Sequence, residues 1–372
     1  MHGVTKTEYQ AKRTEAHQRE RALKAAKYSK VIAAIRQRRA QKLHDAESLG
    51  LTSKILELNP EFYTLWNFRK EILLQMFAAA AEASQRQALN AEELRLTLTA
   101  IKRQPKSYAA WYHRKWVVCK AREAASSSAA LAAASCDMVH ELALCTKFLE
   151  LDERNFHCWA YRRYVCDCLR EDAAAAGAGE GGGTGAAADS PGSVAAEFAF
   201  ATSKLNQNFS NYSAFHHRTT LLPTLLEEGS GGAEQWEAKM REELELVQQA
   251  VFTEPDDQSA WLYYDWLLQQ VAARAQSPVA QGVTGAAVCS ALLREQLSTL
   301  LELLEVEEGS KWATLTVERV QRLLVALSDT DAQAASTLAQ ECSANLRALA
   351  GSDADHRGYY EHIDKLVSLH VS

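Results

Sequence analysis

Large apolar residues recur along this chain with the spacing of a helix that buries one face. Leu51, Ile55 and Leu58 are spaced i, i+4, i+7, which places them on one side of a helix. The same spacing returns at Leu144, Phe148 and Leu151 and at Leu297, Leu301 and Leu304. We expect each triplet to form the buried face of an amphipathic helix.

A helix-breaking dipeptide marks the end of four apolar segments. The breaks are Asn59-Pro60, Gln104-Pro105, Asp152-Glu153 and Glu254-Pro255. Proline stops a helix that reaches it but fits the first turn of a new helix. Each unit is therefore predicted to be a helix, a short turn and a second helix.

An aromatic pattern follows each break and defines a repeat. The segments are NPEFYTLWNFRK, QPKSYAAWYHRKW, DERNFHCWAYRRY, NFSNYSAFHHR and PDDQSAWLYYDW, with a weaker sixth, EEGSKWATL. Their aromatic anchors are Trp66, Trp111, Trp159, Phe215, Trp261 and Trp312, separated by 45, 48, 56, 46 and 51 residues. The spacing predicts that every anchor lies in the first turns of its second helix.

The anchors are best explained as packing residues. A tryptophan buries more area than an aliphatic side chain, so it suits the space between the two helices of a unit and their neighbour. An arginine stands three residues after the first four anchors, at Arg69, Arg114, Arg162 and Arg218. We expect each arginine to bind a carboxylate or a helix-end carbonyl, and the fifth unit, with Tyr264 at that position, to have an altered pairing or none.

A two-helix unit cannot cover its own apolar face, so stacked units must share a core. The sequence therefore predicts an all-α fold, an α-solenoid of helical hairpins. We divide it into a basic helical segment at 1–45, five repeats at 46–270 and divergent helical repeats at 290–372. A Gly/Ala-rich insert at about 172–193 has too few large apolar residues to pack and is expected to be disordered.

Composition and charge narrow the function classes. The net charge of −6 favours no nucleic-acid partner, although the N-terminal segment is rich in Lys and Arg. The sequence contains no apolar stretch long enough to predict a membrane span. The charged N-terminus does not resemble a secretory leader, so we expect a cytoplasmic protein. The eight cysteines are scattered along helical segments and are predicted to be buried hydrophobes, with no metal site in this chain. No motif of a stand-alone enzyme is present.

The repeat segments resemble those of the alpha subunits of protein prenyltransferases. DERNFHCW, NFSNYS and the opening MHG are most similar to the Rab geranylgeranyltransferase (type II) members of that family. The resemblance implies a right-handed, crescent-shaped superhelix that is inactive alone and forms an obligate heterodimer with a beta subunit. It also implies transfer of geranylgeranyl from geranylgeranyl diphosphate to C-terminal cysteines of Rab GTPases, which Rab escort protein presents. Zinc, held by the beta subunit, would make the acceptor thiol a thiolate.

The resemblance also assigns roles to residues near the turns. Lys106 and Tyr108 are implied to reach the leaving diphosphate at the subunit boundary, where a cation stabilises developing negative charge. Asn155 and His157 occupy the analogous turn and are implied to lie near the lipid at the same boundary. His2 is implied to be an autoinhibitory ligand of the partner's zinc.

Two other functions stay open on the sequence. The chain could be the alpha subunit of farnesyltransferase and type I geranylgeranyltransferase, which accept a short C-terminal peptide without an escort protein. It could also be a non-catalytic helical scaffold that binds peptides, as many solenoids do.

Overall fold

The computed structural model describes residues 15–80, 82–127, 136–177, 190–228, 232–276, 283–327 and 332–371. Every regular element in these ranges is helical. Internal contacts divide the chain into two compact units, Met1–Cys168 and Leu169–Ser372, which are described one after the other.

The first unit consists of helical hairpins preceded by one long helix. Its helices are α1 (Glu15–Ala40), α2 (Ala46–Leu56), α3 (Tyr63–Ala79), α4 (Ala83–Arg103), α5 (Tyr108–Ser127), α6 (Met138–Leu151) and the first part of α7 (Phe156–Gly177). Helices α2 and α3 form repeat 1, α4 and α5 form repeat 2, and α6 and α7 form repeat 3. Helix α1 packs against α2, and α3 packs against α5 of the next repeat.

The second unit begins at Leu169, within α7, and contains the remaining hairpins. Its helices are α8 (Val194–Gln207), α9 (Tyr212–Glu228), α10 (Gly232–Thr253), α11 (Gln258–Gln276), α12 (Val283–Val306), α13 (Lys311–Ala326), α14 (Ala332–Ser352), a 3₁₀ turn (Ala354–His356) and α15 (Arg357–Val371). Repeats 4, 5 and 6 are the pairs α8–α9, α10–α11 and α12–α13. Helices α14 and α15 share a separate apolar cluster that includes Leu346, Tyr360 and Ile363.

Side-chain caps fix where the helices begin. Asp137 and Ser193 accept a hydrogen bond from the backbone N–H three residues later, which starts α6 and α8. In the second helices of repeats 2, 3 and 4, the side chains of Ser107, Asn155 and Asn211 do the same. The turn between the two helices of a repeat is therefore held at a fixed register.

The predicted buried face of the first helices is wrong at three positions, and the first residue of each triplet is only partly buried. Leu58 is 56% exposed and Leu151 84% exposed, because α2 has already ended and α6 ends at that residue. Leu301 is exposed as well, on the outer side of α12. The true buried face of α2 includes Thr52, whose hydroxyl donates to backbone carbonyls of its own helix and so is buried at little cost. A search for apolar residues alone misses such a position.

Other sequence predictions meet the structure in part. Residues 172–177 of the predicted insert continue α7, and residues 178–189 lie outside the described residues. His2 and the rest of 1–14 also lie outside them. The weak sixth anchor, Trp312, is only half-buried in α13. Among the helices described, none combines the length and apolar content that crossing a membrane would require.

Candidate functional site

Four of the anchors close the turn that precedes their helix. Trp66, Trp111, Trp159 and Trp261 are buried, and each indole N–H donates to the carbonyl oxygen six residues earlier in the chain. The donor–acceptor distances are 2.7 to 2.8 Å. Phe215 is equally buried but has no such donor. The anchors therefore lie in the core, and four of them hold the preceding turn in place.

The arginine of repeat 1 links this repeat to repeat 2. Arg69 is fully buried, and its Nε and Nη2 donate to both carboxylate oxygens of Glu93 at 2.7 and 2.6 Å. Its Nη1 donates to the Leu49 carbonyl and to the Thr52 hydroxyl of its own repeat. A bidentate pair of this kind is directional, so it fixes the register of one repeat on the next. We call such a pair an Arg–Glu link.

Two further Arg–Glu links have the same geometry. Arg114 of repeat 2 binds Glu141 of repeat 3, and Arg218 of repeat 4 binds Glu243 of repeat 5. Arg162 donates to the Thr146 hydroxyl at 2.8 Å, the partner that corresponds to Thr52. The carboxylate partners were missed in the sequence, although a signal existed. In the first helices of repeats 2 to 5, a glutamate lies twenty residues before a residue that contacts it, at His113, Tyr161, His217 and Tyr263.

The link between repeats 5 and 6 is neutral. Tyr264, at the arginine position, donates from its hydroxyl to Gln296 Oε1 at 2.7 Å. Gln248 donates to the same oxygen at 2.7 Å. The pairing expected to be altered or lost is therefore replaced by a chain of uncharged hydrogen bonds.

Burial and neighbouring charges shift the pKa of the Glu93 carboxyl in opposite directions. Burial alone would raise the pKa of Glu93, but hydrogen bonds and charges from His113 and Arg69 hold it below its usual value. The same burial lowers the pKa of His113. Glu93 is thus ionised and His113 neutral near pH 7, which balances the single charge of Arg69. These groups are structural.

The turn between α4 and α5 carries the most exposed of the candidate residues. Lys106 projects into solvent, with 65% of its side chain exposed, and its Nζ lies 3.4 Å from Asp152 Oδ2 in the corresponding turn of repeat 3. Tyr108, the first residue of α5, is 67% exposed. The two turns are adjacent, so the structure brings Lys106, Tyr108 and His157 together.

Aromatic contacts hold this cluster in place. The Tyr108 ring meets the His157 ring edge-on at 4.1 Å between centroids, and Phe156 lies 5.8 Å from Tyr108. Desolvation lowers the pKa of His157 and outweighs the opposite effects of the Glu61 charge and of a hydrogen bond to the Lys106 backbone. His157 Nε2 is buried and has no hydrogen-bond partner among the described residues. The histidine is therefore a neutral, partly apolar support beneath the lysine turn.

Asn155 does not lie on this exposed surface. Its side chain is buried, donates to the Pro105 carbonyl at 2.9 Å and accepts from the Cys158 N–H at 3.2 Å. It caps α7 and ties the turn of repeat 3 to that of repeat 2. Its direct role is thus to position the turns that carry Lys106 and His157.

This cluster can bind an anionic group. A lysine ammonium at an exposed edge and an exposed tyrosine two residues later both carry hydrogen-bond donors that an oxyanion can accept. In the described ranges, no group of three His, Cys, Asp or Glu side chains gathers closely enough to hold a metal ion. The geometry therefore fits an anion bound at the exposed edge of the two turns.

Comparison with known proteins gives the family. The protein prenyltransferase alpha subunit repeat matches residues 45–76, 90–121, 139–169, 194–225 and 240–271. The chain is similar to the geranylgeranyl transferase type-2 subunit alpha of Rattus norvegicus, with 38% identity over 270 residues, 72% of this chain and 42% of the rat protein. The alignment thus spans less than half the length of that relative.

Two microbial relatives of the same name match over most of their length. The Schizosaccharomyces pombe protein is 32% identical over 315 residues, which cover 84% of this chain and 83% of the relative. The Dictyostelium discoideum protein is 31% identical over 372 residues, which cover 99% and 100%.

A solved structure gives the fold. Candida albicans protein geranylgeranyltransferase-I complexed with GGPP matches with a TM-score of 0.61 and 15% identity, over 92% of this chain and 91% of that chain. At this identity the likeness concerns the fold alone, and with the five matched repeats it confirms the predicted all-α solenoid. Together, the repeats and the full-length relatives show that the chain belongs to the protein prenyltransferase alpha-subunit family, in the group of geranylgeranyl transferase type-2 alpha subunits.

Proposed function

We propose that this chain is the alpha subunit of a heterodimeric type-2 protein geranylgeranyltransferase that acts in the cytoplasm. The enzyme would transfer geranylgeranyl from its diphosphate to C-terminal cysteines of Rab GTPases, which Rab escort protein presents. The observation that carries this proposal is the match along 99% of the chain to a relative of that name. The alternative, an alpha subunit of the farnesyltransferase and type I class, is supported only by a similarity of fold at 15% identity.

An exposed aromatic row supports a partner subunit. Tyr63, Tyr108 and Phe156 are the first residues of α3, α5 and α7, and all three side chains are exposed. We call them the aromatic row. Aromatic residues are enriched at the centres of protein interfaces, and three of them at equivalent positions of successive repeats favour a docking surface for the beta subunit. Lys106 lies beside this row, where a shared active site would be formed.

Lys106 is free to bind the leaving diphosphate. Its contact with Asp152 is a solvent-exposed ion pair, worth about 0 to 1 kcal/mol, so a polyanion can replace the carboxylate. His157 beneath it is neutral and does not compete for the anion. As the bond to the geranylgeranyl carbon breaks, negative charge grows on the diphosphate, and the ammonium group and the Tyr108 hydroxyl would stabilise it.

Zinc belongs to the partner in this proposal. The described residues of the chain do not form a set of metal ligands. When bound in the beta subunit, zinc would supply the acceptor thiolate. The role of this chain is to position the leaving group and to complete the surface on which the beta subunit docks.

Reconstitution tests the function directly. The chain is co-expressed with a prenyltransferase beta subunit from the same source, and transfer of labelled geranylgeranyl to a Rab is followed with and without escort protein. We expect transfer only when both chains and the escort protein are present. Transfer to a bare C-terminal peptide would move the chain to the farnesyl and type I class. Failure to form any complex would favour the scaffold interpretation.

Lys106→Ala tests the leaving-group role. In the assembled heterodimer, we expect the single-turnover rate to fall by about tenfold to a thousandfold, because a cation at the developing charge is lost. Lys102→Ala is the matched control, since Lys102 is an exposed lysine one turn earlier in α4. Gel filtration checks that both variants still assemble. An unchanged rate in Lys106→Ala would remove the lysine from the mechanism.

A further inference from the structure

An apolar groove lies between α1 and α2 in the first unit. Its volume is about 540 Å³, and its walls come from both helices and from the turn after α2. Ile55 forms the floor and is 1% exposed, while Tyr28 and Val31 form one wall. Ala25, a small residue, also lines it. We call this feature the α1–α2 groove.

Two exposed leucines near the groove provide apolar area that a partner could bury. Leu58 lines it and is exposed, although it follows directly after the buried end of α2. Leu23 is also exposed and lies one helical turn before Lys27 on α1. Exposed leucines grouped around a concave apolar surface are typical of a site that a partner covers.

Positive charge surrounds the groove. Lys24, Lys27 and Lys54 line its edge. Lys24 pairs with Glu20 on its own helix at 2.6 Å. Lys27 and Lys54 form no ion pair with any residue in the described ranges, so their ammonium groups are available to an incoming carboxylate. Complementary charges at the edge of an apolar contact favour the correct partner and speed its approach.

We propose that the α1–α2 groove binds an amphipathic helix of a protein partner, with an apolar ridge flanked by carboxylates. A groove between two helices accepts the side-chain ridge of a third helix, and the lysines match acidic residues beside that ridge. A membrane surface fits less well, because the apolar residues line a concave space and do not protrude. The aromatic row lies at the start of α3, α5 and α7 and not in this groove, so the proposal assigns the groove to a partner other than the beta subunit.

A pair of synthetic peptides tests the binding. The first is a fluorescent helix with leucines at i, i+3, i+4 and i+7 and glutamates on either side, and the second has lysines in place of the glutamates. Fluorescence anisotropy is measured with the full chain and with the assembled heterodimer. We expect both forms of the protein to bind the acidic peptide, with affinity that falls as salt rises, and to ignore the basic one.

Repeat 3 provides matched control variants. The segment KILEL contains Lys54 and Leu58, and the equivalent segment KFLEL contains Lys147 and Leu151. We expect Leu58→Glu to weaken peptide binding by about tenfold or more, because a carboxylate would enter the apolar contact. Lys54→Glu should weaken it by about tenfold or less, since it changes only a charge at the edge. Leu151→Glu and Lys147→Glu should leave the affinity unchanged.

Several outcomes would overturn the proposal. Equal weakening by Leu58→Glu and Leu151→Glu would show that the peptide does not occupy the groove. Binding to phosphatidylserine vesicles but not to the acidic peptide would identify a lipid surface as the occupant. Binding to the chain but not to the heterodimer would show that the beta subunit covers the groove. Each readout is independent of catalysis, so it stands whether or not the transfer reaction is observed.

Discussion

The link between repeats 2 and 3 and the link between repeats 5 and 6 join equivalent helices with different chemistry. In the first, Arg114 forms two hydrogen bonds with the ionised Glu141, and both groups are almost completely buried. In the second, Tyr264 and Gln296 form a neutral hydrogen bond at the same depth in the fold. The stacking of repeats therefore requires a matched donor and acceptor, and does not require charge.

The difference has an energetic meaning. Removing two ions from water costs several kcal/mol each, and their attraction offsets that cost only when the geometry is good. A neutral link avoids the cost but tolerates loss of a partner more easily. The Arg–Glu links therefore select strongly for the correct register, while the neutral link holds the same register with less penalty for error.

Breaking an Arg–Glu link should give the largest effect. Arg114→Met leaves the Glu141 carboxylate buried with only the Tyr161 hydroxyl to bind it. We expect the free energy of unfolding to fall by about 3 to 5 kcal/mol, measured by urea denaturation. Arg95→Met is the control, because Arg95 pairs with Glu92 on an exposed helix surface. A loss as small for Arg114→Met as for the control would show that the link does not specify the fold.

Replacing an Arg–Glu link with a neutral link should have an intermediate effect on the free energy of unfolding. Arg218→Tyr and Glu243→Gln, made together, place the chemistry of the neutral link between repeats 4 and 5. Arg218→Tyr leaves the Glu243 carboxylate with only Lys239, 3.6 Å away, and the Tyr263 hydroxyl, and Glu243→Gln leaves the buried guanidinium without a carboxylate, so we expect each single change to cost more than the pair. The two changes together should lie within about 2 kcal/mol of the native chain, with a clear coupling energy in the double-mutant cycle. Simple additivity would contradict the equivalence of the two links.

His113, which binds Glu93 in the link between repeats 1 and 2, should have the smallest effect on the free energy of unfolding, and that effect depends on pH. Burial lowers the pKa of His113 from its usual 6.5, so below that pH the unfolded state binds a proton that the folded state resists. Stability should therefore decrease on acidification, by at most about 1.4 kcal/mol per pH unit for this residue.

His113→Tyr isolates that contribution. Tyr161, the equivalent residue of repeat 3, donates to Glu141, so the tyrosine should keep the hydrogen bond to Glu93 and remove the titration. We expect a shallower loss of stability between pH 7.5 and 5.5 in urea denaturation. His140→Tyr, at an exposed position, is the control. An unchanged pH dependence in His113→Tyr would assign the acid sensitivity to another group.

The sequence predicted the repeat and the second helices well, because tryptophan, proline and arginine recur together at a fixed spacing that suits a stacked helical hairpin. It failed at Leu58 and Leu151, where helix ends expose residues that the apolar pattern places inside. It missed Glu93 and its counterparts because a buried carboxylate is unusual and its partner lies in the next repeat. The cluster of Lys106, Tyr108 and His157 came from the resemblance. No single-chain pattern could have shown that two turns, about fifty residues apart, are neighbours.

The direction of the Arg–Glu links bears on how the chain folds during synthesis. Glu93 leaves the ribosome 24 residues after Arg69, and Glu141 follows Arg114 by 27 residues. The newest hairpin on a growing chain therefore holds a guanidinium whose carboxylate has not yet been made. The ion pair forms only when the first helix of the next repeat supplies the carboxylate. The hairpins should therefore become stable in order from the N-terminus, each one acting as the template for its successor.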